Sequence, residues 1–216
     1  MQIDPDRHSE AENYKLLTNL VVPRPIAWVT SLAPEGIVNL APFSFFNAVG
    51  SDPLYVVVSV GEHDDGTKKD TARNIDSSGE FVVNLVTEDL LEAMNISAAE
   101  FPPGESEVLA AGLRVDPGVK VRAPRLAEAQ ASLECRVYKS ERLGTNTLYI
   151  AEVVLFHVAD HLMGAKLHVN GFAPIGRLGS PSAYCRTVDR FNLPRISYSE
   201  LRRERVERTA PGNPES

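Results

Sequence analysis

The sequence predicts a mainly β fold with short helices, built on an antiparallel sheet that closes as a barrel. Three observations predict it. Runs of β-formers recur between Pro- and Gly-containing turns, at residues 26–30, 36–41, 54–60 and 81–86. Two long runs, 130–142 and 147–159, flank the tight turn Leu143-Gly144-Thr145-Asn146. The helical patterns are short and polar, so hairpins dominate.

In chain order, residues 9–20 come first. Tyr14, Leu16, Leu17 and Leu20 have the spacing of a short amphipathic helix, and Ser9 with Glu12 reads as its capping box. Pro23 and Pro25 stop it. Residues 31–36 form the turn of a first hairpin. Residues 67–77 read as a helix, with Thr67 and Asp70 as a capping-box variant, Ala72 and Ile75 facing inward and Gly79 as terminator. Residues 88–99 are helical again. Residues 100–128, with Pro102-Pro103-Gly104 and Pro117-Gly118, read as a long surface excursion holding a short helix near 108–111. In 130–142, Ala131, Leu133, Cys135 and Val137 share one face. Residues 199–208 read as a charged helix capped by Ser199, and a polar tail follows. The expected organisation is a single domain over 1–216, with a core at about 14–180 and a C-terminal charged helix and tail at 197–216.

Composition narrows the functions. Apolar residues make up 43% and charged residues 24%, with a formal net charge of −7. An acidic surface argues against nucleic acid as a partner, because such binding relies on Lys and Arg against phosphate. The apolar runs are too short to span a bilayer, and the polar N-terminus lacks a signal-peptide pattern. A cytoplasmic location is expected. Cys135 and Cys185 fit neither CxxC spacing nor a disulfide framework and read as reduced thiols. Among the five His, His157 and His161 have i,i+4 spacing but lie in a strand-like stretch, as one strand and one loop residue. No metal site is expected, and no catalytic constellation is visible: GxSxG, GxxxxGK[ST] and GxGxxG are all missing.

Two segments carry candidate chemistry. Asn39-Leu40-Ala41-Pro42-Phe43-Ser44-Phe45-Phe46-Asn47 reads as a loop after a strand, with aromatic walls among short donors and acceptors. Such a loop cradles a planar heterocycle, or it is a hydrophobic corner of the core. Gly66-Thr67-Lys68-Lys69-Asp70-Thr71-Ala72-Arg73-Asn74 concentrates hydroxyls and cations at a predicted helix N-terminus. Free N–H groups and the helix dipole favour an anion there, although ordinary capping produces a similar pattern. A planar ring with a phosphate tail is the outline of flavin mononucleotide.

Pro23-Arg24-Pro25-Ile26-Ala27-Trp28-Val29-Thr30-Ser31, Gly36 through Asn47, Ser51-Asp52-Pro53-Leu54, Lys69-Asp70-Thr71-Ala72-Arg73-Asn74-Ile75 and Gly79-Glu80-Phe81-Val82-Val83-Asn84-Leu85 run in one order over 14–86. In that order the chain resembles the flavin reductase-like, FMN-binding split-barrel proteins, which include flavoredoxin-type proteins and flavin:NAD(P)H reductases. The resemblance implies a Greek-key split β-barrel, a homodimer with the flavin near its interface, FMN as cofactor and NAD(P)H as candidate co-substrate. It implies no catalytic side chain, since the flavin carries the chemistry. It places Thr30 and Ser31 near the ribityl chain and phosphate. Ser44, Phe45, Phe46 and Asn47 would line the isoalloxazine, and Lys69, Asp70 and Thr71 would approach the phosphate or the dimethylbenzene side. An electron-accepting oxygenase or other redox protein is the implied partner. The resemblance departs in one place. Reductases serving monooxygenases often carry Gly-Asp-His for nicotinamide, where this chain has Ala159-Asp160-His161. The alternative reading is therefore a non-enzymatic flavin carrier or electron-transfer flavoprotein. A haem-binding barrel is a third, though no His is placed as an axial ligand.

Overall fold

A computed structural model describes residues 1–102, 104–179 and 181–202. Its strands are β1 (Ala27–Leu32), β2 (Val38–Phe43), β3 (Phe46–Ser51), β4 (Leu54–Gly61), β5 (Glu80–Leu85), β6 (Val115–Asp116), β7 (Arg125–Leu126), β8 (Ala131–Leu143), β9 (Asn146–Val158), β10 (Gly176–Arg177) and β11 (Tyr184–Cys185). The helices are α1 (Glu10–Leu20), α2 (Asp70–Ser78), α3 (Leu91–Ile96) and α4 (Glu107–Ala110), with short 3-10 turns between elements.

Seven strands form one antiparallel sheet in the order β2-β1-β5-β8-β9-β4-β3. The two edge strands, β2 and β3, are consecutive in sequence and joined only by Ser44 and Phe45. That short corner holds the edges of the sheet together, and Ser59 N–H reaches back to Phe45 O at 2.9 Å. The sheet is therefore curled into a barrel of the split type, as expected. The segment read as a Phe-rich loop is instead the end of β2, a two-residue corner and the start of β3. Its small polar residues hid a strand whose outer face is exposed.

Both faces of β1 are covered, so its side chains divide by parity. Ala27 and Val29 point into the barrel with Val56, Val58, Val60, Phe81 and Val83, and Ala72 and Ile75 of α2 pack into the same cluster. Trp28 points the other way, beneath Leu40, Leu90, Met94, Val108 and Leu126. Residues 88–99, expected to be helical, and the excursion through 100–128 supply most of this second layer. Trp28 is wholly buried and its indole N–H donates to Ser97 Oγ at 2.8 Å.

Local chemistry sets the helix ends. Ser9 accepts from Glu12 N–H while Glu12 accepts from Ser9 N–H, the expected capping box. Yet Tyr14, Leu17 and Leu20, the apolar stripe of α1, stay exposed at 56%, 52% and 71%. At the C-terminus the cap is Ser197 rather than Ser199: its Oγ accepts from Glu200 N–H and its N–H donates to Glu200. The remainder of the expected helix, 203–208, lies outside the described residues. Gly79 ends α2 at φ +68°, where a Cβ would meet nothing within 4 Å. Gly79→Ala is thus expected to lose about 1–2 kcal/mol through backbone strain alone. Urea unfolding checks it, and an unchanged midpoint would refute it.

Among the described residues no helix is long and apolar enough to cross a membrane, and no cluster of metal-ligating side chains occurs. Cys135 and Cys185 are both free thiols.

Candidate functional site

The first turn of α2 lines a cleft of about 520 Å³, within the usual range for small-molecule sites. Lys69 is the N-cap, and no side chain caps the helix. The expected Thr67–Asp70 box does not form. Asp65 is the nearer acceptor and takes both the Thr67 hydroxyl, at 2.6 Å, and the Thr67 N–H, at 2.9 Å. Asp70 pairs instead with Arg73. The first N–H groups of α2 are left to the cleft, which suits an anion. The two lysines separate here: Lys68 is tied to Asp76 at 2.5 Å, whereas Lys69 has no carboxylate partner among the described residues.

Acidic side chains also line this cleft, but most are engaged. Glu100 faces His63 at 3.6 Å, and Asp65 and Asp70 are bonded as above. Glu107 is buried, and burial pushes its carboxyl above the usual carboxylate range although it accepts from Leu40 N–H at 2.9 Å. Asn39 links Glu107 to α2. With its amide oriented to satisfy both ends, its oxygen accepts from the Thr71 hydroxyl at 2.8 Å and its nitrogen donates to Glu107 Oε1 at 3.2 Å.

A second cavity, of about 370 Å³, lies between α1, the β2–β3 corner, α3 and the residues Arg177, Pro181, Ser182 and Tyr184. Pro42, Phe43 and Ala98 line both cavities, so the two adjoin across a common wall. Ser44 lines this second cavity and accepts from Arg24 Nε at 3.3 Å. The Phe-rich corner and the α2 N-terminus therefore adjoin on the barrel.

The expected site residues fall in different positions. Lys69, Asp70 and Thr71 line the α2 cleft. Ser44 lines the adjoining cavity. Phe45 is partly buried against Tyr14, with ring centroids 6.2 Å apart. Phe46 packs against the barrel core. Asn47 is exposed, and its side chain accepts from Ala48 N–H. Thr30 and Ser31 are fully buried. The Thr30 hydroxyl donates to Pro124 O at 2.5 Å, and Ser31 Oγ accepts from Asn74 Nδ2 at 3.1 Å. These two support the frame from within, and neither lines the two cavities. His161 sits exposed in a 3-10 turn after β9 and also lines neither. The sequence reading missed Asn39, Glu107 and Arg177 as cavity residues. Only Asn39 carried a cue, as the first residue of the Phe-rich segment.

The flavin reductase like domain family matches residues 19–176, more than half of the chain. The solved component B of nitrilotriacetate monooxygenase from Bacillus cereus is 39% identical. It superposes with a TM-score of 0.85 over 89% of this chain and 98% of that one. The 2-nitrobenzoate 2-nitroreductase of Pseudomonas fluorescens is 36% identical, with a TM-score of 0.83 over 92% and 98% of the two chains. At 18% identity a split-barrel-domain protein from Shewanella frigidimarina shares the fold, with a TM-score of 0.76 over 88% and 96%. Sequence match and barrel geometry agree, and the chain belongs to the flavin reductase like family.

Proposed function

We propose that this protein binds FMN non-covalently and works as an NAD(P)H-dependent flavin reductase. One observation carries the reading: an uncapped helix N-terminus, with Lys69 lacking a carboxylate partner among the described residues, adjoins the β2–β3 corner across Pro42 and Phe43. Lys69 and the N–H groups of Asp70 and Thr71 hold the phosphate. The Thr71 hydroxyl is already bonded to Asn39, so its side chain braces the cleft. The flat ring lies within the α2 cleft against Pro42 and Phe43; Ser44, Phe45, Phe46 and Asn47 form the corner that carries this wall, and Thr30 and Ser31 hold the strand behind it. FMN, when bound, supplies an N5 that accepts hydride from nicotinamide. The chain's own part is to bind, orient and exclude water, which agrees with the lack of an acid–base constellation.

We also assign a homodimer. Tyr14, Leu17 and Leu20 of α1, and Phe191, Leu193 and Tyr198, are large apolar side chains left exposed, and a second copy of the chain is proposed to cover them. An oxygenase accepting reduced flavin is the proposed partner, supported by the likeness to a monooxygenase component B.

The test is direct. Purified protein mixed with FMN retains it through gel filtration and oxidises NADH or NADPH, followed by nicotinamide absorbance. Failure to retain FMN would remove the whole reading. Retention without nicotinamide oxidation favours a non-enzymatic flavin carrier, the reading to which the exposed His161, outside both cavities, lends support.

A further inference from the structure

Arg24 and Arg177 pair across an isolated antiparallel bridge. Arg24 N–H donates to Arg177 O and Arg177 N–H to Arg24 O, each at 2.8 Å. Two like charges directly opposite each other destabilise a pair of strands. No carboxylate offsets them among the described residues: neither arginine forms a salt bridge, and no Asp or Glu lines the cavity they share. In a chain of net charge −7 this is a local inversion of sign.

The two guanidinium groups differ in what they can still do. Arg24 is 6% exposed and spoken for, donating to Thr18 O, Val21 O, Leu178 O and Ser44 Oγ at 2.6 to 3.3 Å. It contributes a fixed buried charge, which burial chiefly disfavours; Tyr14 opposes that effect and Arg177 adds to it. Arg177 lies 4.6 Å over the Tyr184 ring and donates one Nη to Pro181 O. Among the described residues its Nε and Nη1 hold no acceptor. Tyr14, Ile26, Phe43 and Met94 supply flat or apolar wall, and Thr18, Asn95 and Ser182 add neutral polar groups.

We propose that this cavity binds a small aromatic carboxylate, with the carboxylate on Arg177 in the field of Arg24 and the ring between the aromatic and apolar walls. An anion there offsets the like-charge pair, and a charge-assisted bond to a guanidinium in a partly desolvated cavity is stronger than a neutral one. A cavity of about 370 Å³ is at the small end of the range for ligand sites and suits a single ring. The inference does not depend on the flavin reading, because the site can be titrated in flavin-free protein. The shared wall sets the bound ring beside the cleft assigned to flavin.

The test is calorimetric titration of the full chain with benzoate, benzamide and inorganic phosphate, with and without FMN. Benzoate is expected to bind one per chain, at least tenfold more tightly than the isosteric but uncharged benzamide. FMN should leave that binding in place. Arg177→Met is expected to weaken benzoate at least tenfold and Arg177→Lys to restore part of the loss, with FMN affinity unchanged in both. Equal affinity for benzoate and benzamide overturns the proposal without requiring any variant to fold. So does tighter binding of phosphate than of benzoate. Displacement of benzoate by FMN, one for one, would show that the cavity is part of the flavin cleft and overturn a separate site.

Discussion

Replacing Glu134 by Ala is expected to cost about 2–4 kcal/mol of stability, since hydrogen bonds to a charged group are worth about 1.5–3 kcal/mol each and several are lost together. Glu134 lies on β8, fully buried. Its carboxylate accepts from Val119, Lys120 and Val121 N–H at 2.8, 2.5 and 3.1 Å, and sits 2.6 Å from His157 Nε2 on β9. One side chain thus fastens the long excursion to the barrel. Removing it takes the acceptor from three backbone donors and an imidazole, of which the Val121 N–H is buried and the others partly so. Urea unfolding checks the value, and a loss under about 1 kcal/mol would show that water replaces the carboxylate easily. The effect also depends on pH. Burial works to raise the Glu134 carboxyl, but the His157 bond and the three N–H groups outweigh it and hold it below the ordinary range. Its contribution is therefore full above the unfolded carboxylate's pKa. It fades as pH falls through the lower folded value, so the wild-type and Glu134→Ala stabilities converge in acid.

Lys69→Ala is expected to weaken FMN by about tenfold to a hundredfold, the loss of one charge-assisted bond to phosphate. Lys69→Glu should weaken it further, because it adds a negative charge at a helix N-terminus that would already hold an anion. Riboflavin, which has the ring and ribityl chain but no phosphate, should bind all three proteins alike. Titration by flavin fluorescence separates the cases. Parallel losses for FMN and riboflavin would remove Lys69 from the phosphate site while leaving flavin binding itself intact. Lys68→Ala is the matched control, since Lys68 already spends its charge on Asp76.

Much of the barrel was legible before any coordinates. Alternation is a property of single strands, so β1, β4, β5, β8 and β9 could be drawn from their β-formers alone. Capping is equally local. Ser9 with Glu12, and Gly79 after α2, are chemistry within four residues of one another. The family resemblance was readable for a related reason, because it rests on the order of short motifs and not on contacts.

What the chain order concealed was decided by neighbours distant in sequence. β3 escaped notice because its outer residues stay exposed, and only pairing with β4 makes the segment a strand. Ser9 and Thr67 both look like caps, but Asp65 competes for Thr67, and that competition leaves α2 uncapped beside the cleft. Thr30 and Ser31 stand in the expected motif, yet sheet register turns one hydroxyl to Pro124 O and brings Asn74 to the other. Arg24 and Arg177 are 153 positions apart, and their unneutralised pairing exists only once the chain returns across the first strand. Composition and local spacing thus determined the class of fold, the helix ends and the family. Closure of the sheet alone decided which side chains face a cavity and which charges go unanswered, because burial and pairing depend on partners that no short window of sequence contains.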